Sequence, residues 1–124
     1  MDNYLLVVIL DNPQNSCSAE AAQKILSSVP YDRGFHFFMP DGHYTGETAI
    51  SLCSFLRDLR SVDVQSIKFH FDRGDFQKWI RNTVGDQELA GIIDKLDKKI
   101  PEEKLGEKLA DTVQKRISEL QLTR

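Results

Sequence analysis

The chain has 124 residues, 40% apolar and 28% charged, a length and balance that suit one domain (1–124) with its own core and exclude disorder by composition. Sixteen basic residues against nineteen acidic ones leave a formal net charge of −3, so no global field draws in nucleic acid or an anionic membrane surface. The apolar run Tyr4–Leu10 falls far short of the ~20 residues that span a bilayer and lacks the flanks of a signal peptide. Cys17 and Cys53 are too far apart in sequence for a Cys-x-x-Cys site. The expectation is a cytoplasmic protein with reduced thiols, no membrane contact and no cofactor.

In chain order, Tyr4–Leu10 reads as a buried strand closed by Asp11-Asn12-Pro13. Ser18 is placed to cap a helix through Ser28, with Glu20 in its first turn and Ala21, Ala22, Ile25 and Leu26 on its apolar face. After Pro30, residues 35–39 form a second strand candidate, and Pro40-Asp41-Gly42 signals a turn. Residues 43–47 return as a short third strand, or Asp41 to Thr48 form an exposed polar loop on which Tyr44 and Thr45 are contact candidates. Strand, helix and strand would make a right-handed βαβ unit, one of several pairings open to them.

From Ser51 the pattern is helical, with Leu52, Phe55, Leu56 and Leu59 at one-face spacing and Cys53 expected as a buried small hydrophobe. In residues 63–72, Ile67, Phe69 and Phe71 alternate like a strand, whereas Val64, Ile67 and Phe71 fit a helix; the helix is favoured. Gly74 breaks that segment, and Asp75 is the expected N-cap for a short helix with Phe76, Trp79 and Ile80 on one face. Gly85 ends it, and Asp86 caps a helix whose core side is Leu89, Ile92, Ile93 and Leu96. Pro101, Glu102 and Glu103 open a final helix, 101–122, with the stripe Leu105, Leu109, Val113, Ile117 and Leu120. That stripe drifts off a heptad seam, so it is expected to pack on the body or on a protein partner. The predicted architecture is α+β and mostly helical, a small N-terminal sheet (strands near 4–10 and 35–39) with four to five helices.

His70, Asp72, Arg73 and Asp75 bring a base, carboxylates and a guanidinium within six residues. A catalytic reading makes His70 a general base oriented by Asp75. The reading preferred is architectural: Asp75 caps its helix, Arg73 pairs with a carboxylate and His70 bonds a backbone carbonyl beside Trp79, with Phe69, Phe76, Gly74, Gly85 and Asp86 as structural residues. No catalytic residue is therefore assigned, and His70, Arg73 and Asp75 stand as contact candidates. His36, His43, His70 and Cys53 match no metal-ligand spacing, so no metal is expected. Between Arg57 and Arg81 the basic residues exceed the acidic ones by two, weak support for phosphate contacts.

The order Phe-x-Phe, Ser51-Leu52 with Phe55, Phe69-His70, Arg73-Gly74-Asp75-Phe76-x-x-Trp79 and Gly85-Asp86-x-x-Leu89-Ala90 resembles a prokaryotic, mainly archaeal, domain family over residues 35–122. The resemblance implies a cytoplasmic accessory module without an assigned reaction, and carries over no catalytic residue. The functional order is then an interaction or regulatory module with an unknown protein partner, next a nucleic-acid-associated protein, and third a small enzyme using His70 and Asp75.

Overall fold

The computed structural model describes residues 19–123; the strand expected at Tyr4–Leu10, its βαβ pairing, the Ser18 cap and Cys17 lie outside them. The described chain is mostly helical with one small sheet, an α+β arrangement. Its elements are α1 (Ala19–Leu26), a 3-10 turn (Tyr31–Arg33), β1 (Phe35–Phe38), β2 (Tyr44–Ala49), α2 (Leu52–Leu59), α3 (Val64–Arg73), α4 (Asp75–Trp79) continuing as a π-helical turn (Ile80–Val84), α5 (Gln87–Asp94) and α6 (Glu102–Thr123). Among the described residues these are six α-helices against the four to five expected, and Gly74 divides α3 from α4 as its position predicted.

β1 and β2 form an antiparallel hairpin closed by the predicted Pro40-Asp41-Gly42 turn, with the Gly42 N–H donating to Met39 O at 2.8 Å and the Met39 N–H to His43 O at 2.9 Å. The pairs His36↔Thr48 and Phe38↔Tyr44 bracket two more residues on β2 than on β1, a bulge around Gly46. Thus Tyr44 and Thr45 lie on a strand, not in a loop. Alternation along β1 buries Phe35 and Phe37 and turns His36 and Phe38 outward.

α2 opens on a capping box: Ser51 Oγ accepts from the Ser54 N–H at 3.1 Å, and Ser54 Oγ accepts from the Ser51 N–H at 3.0 Å. Its buried face is Leu52, Phe55, Leu56 and Leu59. Cys53 is exposed rather than buried, since one residue on from Leu52 the helix turns about 100° away from that face. The doubtful segment is helical: Asp63 caps it by accepting from the Gln65 N–H at 2.8 Å, and Ile67 and Phe71 meet the core at i, i+4 while Phe69 is half-buried.

Gly74 ends α3 at φ 75°, a left-handed turn that a side chain would strain. Gly74, not Asp75, occupies the N-cap of α4; Asp75 is the first helical residue and its carboxylate turns back to α3. Asp86 does cap α5, accepting from the Leu89 N–H at 3.1 Å. Ile92 is 40% exposed, because Leu89, Ala90 and Ile93 make the buried face.

α6 is the spine. It packs against α1, α2, α3 and α5, burying all five stripe residues, each contributing about 1.5–3 kcal/mol. Gly106 permits the close approach: a Cβ there would stand 3.1 Å from Ile67 Cδ1 and 3.2 Å from Leu59 O. The stripe is therefore covered by the chain's own body. Beside it Arg116, 6% exposed, forks onto Asp86, 1% exposed, with Nε to Oδ2 at 2.7 Å and Nη2 to Oδ1 at 3.0 Å.

Two stability outcomes follow from this packing. Arg116→Met strands the buried Asp86 carboxylate and should cost about 3–5 kcal/mol in urea unfolding. Trp79→Ala removes a buried anchor and should cost about 3–5 kcal/mol, whereas Trp79→Phe loses mainly the hydrogen bond from Nε1–H to Arg33 O, 2.9 Å long, and should cost about 1 kcal/mol.

Candidate functional site

The sequence cluster at His70 is built where β1 meets α3. Ser66 and His70, one turn apart on α3, both face the backbone of Phe38: Ser66 Oγ–H donates to Phe38 O at 2.8 Å, and the Phe38 N–H donates to His70 Nε2 at 2.9 Å. His70 thus bonds a backbone amide rather than the expected carbonyl, and because Nε2 accepts, its proton sits on Nδ1. Nδ1–H donates to Asp75 Oδ2 at 2.8 Å, and the same oxygen takes the Arg73 Nε–H at 3.0 Å. The left-handed Gly74 makes this return possible, since it reverses the chain between donor and acceptor.

His70, Arg73 and Asp75 line one concavity of about 360 Å³ with Phe69, His36 and Phe38. The Arg73 guanidinium lies 4.9 Å from the Phe69 ring centroid, and its side chain is 61% exposed. Tyr44 sits beside this dish on the outer face of the hairpin. There Tyr31 OH and Tyr44 OH are 3.0 Å apart, Tyr44 OH reaches Thr48 Oγ1 at 2.5 Å, and Thr48 Oγ1 bonds His36 Nδ1 at 2.7 Å. This chain fixes the exposed rings of Tyr31 and Tyr44 in place before any contact is made. Thr45 turns to the bulge, accepting from the Glu47 N–H at 3.2 Å.

Burial pushes the His70 imidazole below the usual histidine value of 6.5, outweighing the Asp75 carboxylate that pulls it up. The imidazole is neutral, and both ring nitrogens are engaged within the fold, so proton abstraction by Nε2 requires breaking the bond to Phe38. Phe76 and Trp79 are core residues rather than lining. Arg57 pairs with Asp58 at 3.3 Å and Arg81 with Asp94 at 2.9 Å, which neutralises two cations a phosphate backbone would need. Among the described residues, no three His, Cys, Asp or Glu side chains converge as a metal site, and no helix is long and apolar enough to cross a membrane.

Sequence reasoning missed a second titratable site. Asp58, on the buried face of α2, is fully buried, and Oδ2 has no donor. Burial, followed by the hydrogen-bonded Glu47 carboxyl, pushes its pKa up to about 6 against the pull of Arg57. A proton shared between the Asp58 and Glu47 carboxyls would join β2 to α2. The signal was a polar residue at the i+3 position of the Phe55 stripe.

No family model matches this chain, and neither a curated protein nor a solved structure matches it.

The two sites give opposite pH dependences. His70 has a folded value below its unfolded one, so the unfolded chain binds the proton better: this stability is complete above about pH 6.5 and is lost as pH falls through the folded value. His70→Gln should flatten that part of a thermal-melt profile between about pH 5 and 7. Asp58 has a raised folded value, so its contribution is full below 3.8 and lost as pH rises through about 6. Asp58→Asn should therefore be more stable than the parent at neutral pH, by about 1–2 kcal/mol after discounting for solvent around the exposed Glu47, with the difference vanishing in melts near pH 4.

Proposed function

We propose that this protein is a non-enzymatic interaction module, whose hairpin edge takes an extended segment of a partner protein. The observation that carries this reading is the backbone of His36. Along a strand, alternate residues direct their N–H and C=O to the same edge, so His36 shares the edge of Phe38. The Phe38 pair is met by Ser66 and His70; by that alternation the His36 pair faces the same edge two residues earlier, at the rim of the 360 Å³ concavity that His36 lines. An added strand would satisfy both groups while its side chains meet Phe69, Arg73 and the outward Phe38. Exposed tyrosines, a phenylalanine and an arginine around an open edge are the residue types that dominate protein interfaces.

The commitment of His70 supports an adaptor over an enzyme. The Asp75 carboxylate in the same concavity, paired with Arg73, supports a polypeptide over a polyanion.

Selection of binders from a random peptide display library tests this reading. Selected peptides should slow hydrogen exchange at the His36 amide, and Phe69→Ala and Arg73→Glu should each weaken them about tenfold. Binders that leave His36 exchanging freely, or that hold both variants as tightly as the parent, would sink it.

A further inference from the structure

On the other side of the 3-10 turn lies a second concavity, of about 410 Å³, between the end of α1 and the π-helical turn. Lys24, Ser28, Arg33, Asn82 and Thr83 line it over an apolar floor of Val29, Pro30 and Val84, and no Asp or Glu contributes to its wall. In a chain of net charge −3 that is a local reversal of sign. Neither Lys24 nor Arg33 has a carboxylate partner among the described residues, and the side chains of Ser28, Asn82 and Thr83 have no hydrogen-bond partner there either. Two cations and three short polar groups thus converge with their bonding capacity unused inside the fold, an arrangement that suits an anion with several acceptor oxygens.

The walls are fixed by bonds that leave these groups alone. Val29 N–H donates to Ile50 O at 2.8 Å, Trp79 Nε1–H holds the Arg33 carbonyl at 2.9 Å, and the N–H groups of Gly85 and Asp86 both converge on Ile80 O at 2.8 and 3.0 Å. The last pair closes the π-helical turn, whose Asn82 and Thr83 line the same concavity as Lys24 of α1; insertions of this kind recur at functional sites. The volume lies in the range of small-molecule sites, roughly 300–1,000 Å³, and leaves room beyond a bare phosphate for an attached apolar ring.

We propose that this pocket binds a small organic phosphate monoester, its phosphate held by Lys24 and Arg33 with Ser28, Asn82 and Thr83, and its organic part resting on Val29, Pro30 and Val84. The site is independent of the hairpin edge and of the partner assigned to it.

Titration of the protein with 5′-AMP, followed by amide NMR shifts, tests the assignment, with adenosine and inorganic phosphate as parallel probes. AMP should move the amides of Ser28, Asn82 and Thr83, and should weaken as salt is raised from about 20 to 500 mM. The double variant Lys24→Gln, Arg33→Gln, whose exposed side chains have no carboxylate partner among the described residues, should melt as the parent does and bind AMP at least about tenfold more weakly. Absence of shifts at these amides up to about 10 mM AMP, equal binding of adenosine, or unchanged affinity in the double variant overturns the anion site. Inorganic phosphate binding as tightly as AMP overturns the ester.

Discussion

The hairpin of this protein is anchored by one backbone residue. Phe38 would leave an amide and a carbonyl unpaired at a strand edge, and α3 meets both, through His70 and Ser66 at one-turn spacing. Two strands alone are marginal in water; here a helix supplies by side chains what a third strand would supply by backbone. The other properties of the region follow. The imidazole must stay neutral to accept from Phe38, its remaining proton must find Asp75, and Asp75 can be reached because Gly74 turns left-handed. Arg73 then closes the group from outside.

Support from α3 ends at Phe38, and the consequence lies two residues earlier, at His36. The same geometry that binds the hairpin to the body exposes the piece of edge proposed as a docking line. It also explains how a cluster with the residue types of an active site can serve as a joint: its polar groups are matched to one another and to the backbone.

Much of the frame was legible in local sequence. Ser51 and Asp86 cap where their spacing predicted, Gly85 ends its helix, and the Leu105–Leu120 stripe is buried as its period required. The errors share one physical cause. Asp58 and Arg116, which drew no reading from sequence, and His70, read as bonding a backbone carbonyl, each fall on the buried face of a helix. Their partners come from other elements, Glu47 on β2, Phe38 on β1 and Asp86 thirty residues away, and periodicity within one helix carries no record of them. A polar residue in phase with a core stripe was the available sign. Cys53 and Ile92 erred the opposite way: they are apolar by type and out of phase with the face that matters.

The placement of the spine bears on how the chain is made. α1, α2, α3 and α5 all rest on α6, which leaves a ribosome after each of them. Phe55 also meets Phe35, Phe37, Phe76 and Trp79, but a nascent chain that lacks α6 has no cover for the parts of α1, α2, α3 and α5 that rest on that helix. The Asp86–Arg116 fork adds selectivity to that late step: a helix docked out of register would leave two charges buried apart. The stripe of α6 and the surfaces that it covers are therefore buried together, in the one step that seats this helix.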